Sequence, residues 1–301
     1  TETACHIIFT GLDKGEECDM EKEELLELIK GMREDDRKRL ADSSIPAAGE
    51  ERFVPVRNGR ARILYYPAEA GAPVFINGGG FVAGVPEGDD LFCKRVNEQL
   101  KIHVVNVEYR LAPEVMFPGD KEDVYDVVSY LCGHPDEYPV DVNRMIIGGH
   151  SAGANISTAV CLMAKETGDF RFLAQILDYP PLDLFTPAGQ KFYTEGAIPP
   201  QIAEVFNACY RKEEDAKNIL CSPYWAQPEE LKGLPDALVI TCELDSLRDE
   251  AEEYAKKLMQ AGVEVTGKRF CGAAHGFTMA EDEAGIAGQQ YMIDYVKRKL
   301  N

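Results

Sequence analysis

The stretch Arg144-Met-Ile-Ile-Gly-Gly-His-Ser-Ala-Gly153 passes from an apolar run, through a glycine-rich turn, into a helical pattern that continues to Lys165. Gly149 to Gly153 has the form G-x-S-x-G. This strand–turn–helix setting is the one that a nucleophile elbow needs, because its sharp turn crowds the residues two before and two after the serine. Glycine lacks the Cβ atom that would collide there. The stretch predicts Ser151 as a nucleophile, and an incidental serine at a strand end is the alternative.

A serine hydroxyl is a weak nucleophile and requires a general base, commonly a histidine. In hydrolases with this kind of turn, the chain order is serine, acid, histidine. Of the five histidines, only His275 follows Ser151, in the small-residue segment Cys271-Gly-Ala-Ala-His-Gly-Phe277 after a predicted strand. We therefore predict His275 as the base. His150 is predicted to pack locally or to support the turn.

The acid that orients the base is expected at the end of a strand between the serine and the histidine. Parallel sheets place functional groups at the carboxyl ends of their strands. The segment Leu238-Val-Ile-Thr-Cys-Glu-Leu-Asp245 indicates a strand that runs into a loop, which favours Asp245. Glu243, on or near the strand, and Asp249, at the start of the next helical pattern, remain alternatives.

Acyl transfer to a serine also needs backbone N–H groups that stabilise the oxyanion. The segment Phe75-Ile-Asn-Gly-Gly-Gly-Phe81 indicates a strand that ends in three glycines, whose amides can turn inward. A merely flexible turn is the other interpretation. The sequence contains no G-x-G-x-x-G, Walker A or H-E-x-x-H motif and no closely paired cysteines. We therefore expect neither a metal nor another cofactor.

Short apolar runs alternate with longer amphipathic segments along most of the chain. The strand-like runs are 61–66, 73–77, 102–109, 144–148, 173–177, 237–242 and 263–270, and the helical patterns lie near 20–40, 89–100, 121–133, 152–167, 247–261 and 284–300. This order predicts an α/β fold with a mostly parallel sheet covered by helices on both faces. From 183 to 227, a proline-rich and aromatic-rich insert with a helix near 201–211 interrupts the alternation, which is typical of a lid or cap.

The charge and the cysteines narrow the class of protein. The 301 residues include 32 Lys and Arg against 52 Asp and Glu, a net charge of −20, which disfavours binding to nucleic acid or to an anionic membrane. No apolar stretch approaches the roughly 18 residues of a membrane span, and the first residues do not resemble a secretory signal. The nine cysteines are scattered and indicate reduced thiols. We expect a cytoplasmic protein.

Six sequence blocks occur in a fixed order from about residue 60 onward. They are Asn77-Gly-Gly-Gly80, Tyr109-Arg-Leu-Ala-Pro-Glu114, Phe117-Pro-Gly119, Gly149-His-Ser-Ala-Gly153, Asp245-Ser-Leu-Arg-Asp-Glu250 and His275-Gly-Phe277. Together they resemble the hormone-sensitive-lipase-like branch of the α/β-hydrolase esterases and lipases. Three positions depart from the family pattern: Asn77 stands in place of a histidine, His150 in place of an acid and Ser246 in place of a proline.

The resemblance implies an α/β-hydrolase fold and a set of site residues. The triad would be Ser151, Asp245 and His275, and the oxyanion donors would be the backbone N–H groups of Gly79, Gly80 and Ala152. The implied reaction is hydrolysis of short- to medium-chain carboxylic esters through an acyl-enzyme. The alternatives are an amidase, deacetylase or peptidase with the same triad, and a small-molecule binding protein on the hydrolase scaffold, as in the gibberellin receptors.

The resemblance also implies how the chain is divided. A catalytic domain would comprise 46–182 and 228–301, and a helical cap would comprise 1–45 and 183–227. The aromatic residues of the insert would either form the core of the cap or line an apolar pocket for the substrate; they are Phe185, Phe192, Tyr193, Phe206, Tyr210, Tyr224 and Trp225. A homodimer is a further expectation, with a small ester as the substrate.

Overall fold

A sheet of eight strands forms the centre of the computed structural model, which describes residues 22–42, 47–78 and 80–301. The strands are β1 (Glu50–Val56), β2 (Gly59–Tyr66), β3 (Ala72–Asn77), β4 (His103–Glu108), β5 (Val140–His150), β6 (Ala174–Asp178), β7 (Asp236–Cys242) and β8 (Val265–Phe270). They lie in the order β1-β2-β4-β3-β5-β6-β7-β8. The β1–β2 and β2–β4 pairs are antiparallel, and all other pairs in the sheet are parallel. The mostly parallel sheet is therefore confirmed.

Helices connect most of the parallel strands. They are α1 (Lys22–Asp42), α2 (Asp90–Leu100), α3 (Gly119–Gly133), α4 (Ala152–Thr167), α5 (Pro200–Tyr210), α6 (Pro228–Leu231), α7 (Arg248–Gln260) and α8 (Glu283–Leu300). The helical patterns read from the sequence agree with these bounds to within two residues, apart from the short α6, which the sequence reading omits. None of the helices in the described part of the chain is both long and apolar enough to span a membrane.

Successive residues of the central strands face two separate apolar cores. In β3, Val74 and Ile76 belong to one core, together with apolar residues of α3, α4 and α7. Phe75 points the other way, into a second core that contains residues of α2 and α8. This alternation is that of a sheet buried on both faces, and it explains why its strands read as continuous apolar runs.

The edge strand β1 is missing from the strands predicted above. Its sequence Glu-Glu-Arg-Phe-Val-Pro-Val56 is charged and contains Pro55, which lacks the N–H that a central strand must donate. In the structure β1 pairs with β2 alone, so an edge position accommodates the proline. Only Val54 and Val56 of this strand are buried, which leaves too weak an apolar pattern for the sequence to reveal it.

The insert packs against the segment that follows the three glycines. The ring of Tyr210, at the end of α5, stacks on Phe81 with a centroid distance of 3.9 Å. Its carbonyl accepts a hydrogen bond of 2.8 Å from the N–H of Phe117. On α1, Arg33 donates to the carbonyl oxygens of Val82 and Ala112. Both predicted parts of the cap therefore contact the same region, although residues 1–21 and 43–46 lie outside the described residues.

Candidate active site

Ser151 sits at the turn between the centre of the sheet and a buried helix. β5 ends at His150 and α4 begins at Ala152, so the reversal of direction falls on the serine itself. Its backbone has φ 51° and ψ −122°, a conformation that costs a non-glycine residue about 1–3 kcal/mol. The Ser151 N–H donates to the carbonyl of Asp178 in β6 at 2.8 Å, which helps to hold this conformation.

The glycine before this turn is required by a close approach of three backbone segments. A Cβ atom on Gly149 would lie 2.2 Å from the carbonyl oxygen of Gly78 and 2.9 Å from the Cα of Gly153. Backbone atoms cannot give way as a side chain can, so the space admits no other residue without movement of the chain. The predicted crowding around the serine is therefore present, and Gly78, directly after β3, adds to it.

The three side chains predicted as a triad form one hydrogen-bonded chain. His275 Nε2 lies 3.0 Å from Ser151 Oγ, and His275 Nδ1 lies 2.8 Å from Asp245 Oδ2. Asp245 is fully buried, and its Oδ1 accepts from the N–H of Leu247 at 3.1 Å. One imidazole thus bridges a hydroxyl and a carboxylate, and the three side chains come from loops after three different strands.

The two alternative acids have other partners. Glu243 accepts a hydrogen bond of 2.7 Å from the backbone N–H of Gly272. Asp249 is exposed and accepts from Arg248 at 2.8 Å. Of the three candidates, Asp245 is the acid that contacts the histidine.

The glycine segment lies beside the serine, as an oxyanion-binding loop would. Gly80 has φ 88°, and a Cβ atom there would lie 1.9 Å from the carbonyl oxygen of Ala83. Its own carbonyl accepts a hydrogen bond of 2.7 Å from the hydroxyl of Tyr109. Ala152 is the first residue of α4, where a backbone N–H has no acceptor within the helix. Gly79 lies outside the described residues.

A second set of polar side chains, which the sequence reading missed, lies behind the turn. Asp178 is fully buried at the end of β6 and accepts a hydrogen bond of 2.6 Å from Thr278 Oγ1. Burial, aided by the charges of Asp89 and Asp245, raises the pKa of Asp178 to about 8. The predicted apolar run at 173–177 ends one residue before Asp178. An acidic residue directly after a buried strand is the sequence signal that could have identified it.

His150 and Asp89 line a cleft of about 520 Å³, open to solvent, that also reaches Asp178. His150 Nδ1 lies 3.4 Å from Asp89 Oδ1, which agrees with a supporting position beside the turn. Within the described residues, no group of three or more His, Cys, Asp or Glu side chains is arranged to hold a metal ion.

The fold and the Ser–His–Asp geometry are those of a hydrolase with a serine nucleophile, and comparisons with known proteins agree. A family model described as alpha/beta hydrolase fold matches residues 73–279. The chain therefore belongs to the α/β-hydrolase family, in its hormone-sensitive-lipase-like branch.

Individual relatives cover most of the chain. It is 32% identical over 277 residues to the carboxylic ester hydrolase LipN of Mycobacterium tuberculosis, covering 87% of this chain and 71% of LipN. It is 30% identical to an arylesterase of Saccharolobus solfataricus, over 76% of this chain and 74% of that protein. The crystal structure of EstE1, a thermostable carboxylesterase from a metagenomic library, has a TM-score of 0.80 at 32% identity, over 92% of this chain and 98% of EstE1.

Replacement of Gly149 by alanine should disturb the turn and lower stability. The added methyl would meet the carbonyl oxygen of Gly78, so we expect a loss of about 1–3 kcal/mol in the free energy of unfolding and a fall in kcat. Gly133→Ala is the matched control, because no heavy atom lies within 4 Å of its added Cβ, and stability should change by less than about 1 kcal/mol. Urea denaturation measures both. Equal stabilities of the two variants would contradict the crowding at Gly149.

Proposed function

We propose that this chain is a serine carboxylesterase in which Ser151 is the nucleophile, His275 the general base and Asp245 the acid that orients the histidine. The main support is the hydrogen-bonded chain from Ser151 Oγ through the His275 imidazole to Asp245. The family membership and the esterases among its relatives support the same reaction.

In the first half of the reaction, Ser151 Oγ attacks the ester carbonyl as its proton passes to His275 Nε2. The carbonyl oxygen becomes an oxyanion, which accepts hydrogen bonds from the N–H of Ala152 and from those of Gly79 and Gly80. The buried Asp245 fixes the tautomer of the imidazole and stabilises the imidazolium. Collapse of the tetrahedral intermediate breaks the bond to the leaving oxygen, which takes the proton from His275.

In the second half, water replaces the alcohol. His275 removes a proton from the water as its oxygen attacks the acyl carbon. The bond to Ser151 Oγ then breaks, and the proton returns to the serine. The carboxylic acid leaves, and the free enzyme is restored. None of these steps calls for a metal or an organic cofactor.

We propose small neutral esters with short or medium acyl chains as the substrates. The net charge of −20 disfavours polyanionic esters. Some aromatic residues of the insert are used in packing against the rest of the protein: Tyr210 is buried, and Phe206 and Tyr224 pack against the core. Phe185 and Tyr193 are more than a third exposed, and the Phe185 ring packs edge-on against Trp225.

The division of the chain, its location and its assembly stay predictions. We propose 46–182 and 228–301 as the catalytic domain and 1–45 with 183–227 as the cap. The cysteines in the described part of the chain are free thiols, which suits a reducing, cytoplasmic setting. A homodimer would be tested by light scattering of the purified protein.

Ser151→Ala should abolish esterase activity while leaving the fold intact. Loss of the nucleophile lowers kcat by about 10⁴–10⁶-fold in serine hydrolases, because the acyl-enzyme cannot form. Turnover of a p-nitrophenyl ester and labelling by a fluorophosphonate probe measure the loss. Ser129→Ala, on the exposed face of α3, is the control and should keep both. Parental turnover by Ser151→Ala would contradict the assignment.

Asp245→Asn should lower kcat by about 10³–10⁴-fold, since an amide cannot hold the imidazole in the required tautomer or stabilise its charged form. Glu243→Gln and Asp249→Asn remove the alternative acids and should each keep kcat within about threefold, because neither contacts His275. The three variants are compared by steady-state kinetics on one ester. A large loss in Glu243→Gln with none in Asp245→Asn would reverse the assignment of the acid.

A substrate panel separates the esterase from its alternatives. Esters of increasing acyl length, the matching anilides, acetylated sugars and a coenzyme A thioester are compared by kcat/KM. We expect the short and medium neutral esters to give the highest values, because an ester carbonyl is attacked more readily than an amide carbonyl and the protein carries excess negative charge. Preference for the anilides would indicate an amidase or deacetylase, and preference for the thioester would contradict the charge argument.

A further inference from the structure

Asp178 touches both loops that carry the reacting groups. Its backbone carbonyl accepts the N–H of Ser151 at 2.8 Å, at the strained turn. Its side-chain Oδ2 accepts the hydroxyl of Thr278 at 2.6 Å, three residues after His275. One residue at the end of β6 therefore connects the nucleophile turn to the histidine loop.

The next residue extends this connection to the imidazole. The ring of Tyr179 packs edge-on against His275, with a centroid distance of 4.8 Å, and its hydroxyl lies 2.6 Å from Thr278 Oγ1. Tyr179 has φ 37°, a left-handed conformation that its N–H stabilises by donating to the carbonyl of Ile240 at 2.9 Å. The imidazole thus lies against Tyr179, and Thr278 joins the tyrosine to Asp178.

The surroundings of Asp178 favour a neutral carboxyl. It is fully buried, and among the described residues the donor to its Oδ2 is a neutral hydroxyl while its Oδ1 has no hydrogen-bond partner. The titratable groups that face it from the surrounding elements are Asp89, His150, Tyr179, Cys242 and Asp245, with Glu281 farther along the cleft. Burial and the two neighbouring aspartates raise its pKa to about 8.

We propose that Asp178 is a positioning residue for the hydrolysis, which ties the Ser151 turn to the His275 loop through Thr278. The role rests on the proposed function, because it concerns the distance between Ser151 Oγ and His275 Nε2. A displacement of about 1 Å between reacting groups costs on the order of 10²-fold in rate. Loss of the tie therefore lowers kcat and leaves KM almost unchanged, since substrate binding does not involve Asp178.

The bond from Thr278 does not require a particular charge on Asp178. A carboxylate accepts a hydroxyl at least as strongly as a neutral carboxyl does, and this hydrogen bond lowers the pKa of Asp178 while burial raises it. The connection between the two loops therefore depends on the position of the Asp178 side chain.

Two pairs of variants test the tie at pH 7. Asp178→Asn keeps a neutral acceptor, and Thr278→Ser keeps the hydroxyl, so kcat should stay within about threefold of the parent. Asp178→Leu and Thr278→Val remove one side of the bond, and kcat should fall about 10–100-fold with KM within about twofold. Labelling of Ser151 by the fluorophosphonate should slow in the same proportion. Parental kcat in both Asp178→Leu and Thr278→Val would overturn the proposal.

The split between kcat and KM distinguishes a positioning role from a merely structural one, because a general loss of structure would also weaken substrate binding and would not be rescued by the conservative variants. Thr278→Val keeps the proposal testable if Asp178→Leu fails to fold. Activity that survives Ser151→Ala would instead contradict the triad, and the results for Asp178 and Thr278 would still be interpretable.

Discussion

Most of the active site is arranged around the turn at Ser151. The strained backbone of this turn is stable only because neighbouring segments hold it from several sides. β5 holds the residues before it in the middle of the sheet, and the buried helix α4 holds the residues after it. The carbonyl of Asp178 binds the Ser151 N–H from the neighbouring strand. Gly78 touches Gly149 so closely that β3 and its glycine segment must lie directly beside the serine. A conformation that costs energy by itself is thereby maintained by the fold around it.

The sequence predicts the central features of this fold. It also provides candidates for the nucleophile, the general base, the acid and the oxyanion donors. Strands buried on both faces leave continuous apolar runs, and the connecting helices leave amphipathic ones, so their order predicts a parallel sheet. The serine and the histidine are located by a motif and by chain order. For the acid, strand position favours Asp245 and leaves Glu243 and Asp249 as alternatives, and the family resemblance then selects Asp245. The hydrogen bond between Asp245 and His275 agrees with that prediction.

Two features that sequence patterns could not supply have different physical causes. β1 is half exposed and lies at an edge, where a proline and several charges are tolerated, so neither its composition nor its periodicity stands out. Asp178 is the opposite case, a polar residue in a fully buried position. Its surroundings are created by segments a hundred residues away, among them Thr278, and a local pattern carries no information about such a partner.

The insert is coupled to the glycine segment through a buried polar group. Lys121 of α3 is fully buried, and it bonds to Asp120 at 3.1 Å and to the Tyr210 hydroxyl at the end of α5. Burial lowers the pKa of this lysine, while the Asp120 carboxylate opposes the shift. The same Tyr210 ring stacks on Phe81, directly after Gly80. A buried ion pair is weak evidence for added stability, whereas its contacts do hold the Tyr210 hydroxyl next to Lys121 and Asp120. The insert therefore contacts the residue that follows Gly80, although it supplies none of the proposed reacting groups.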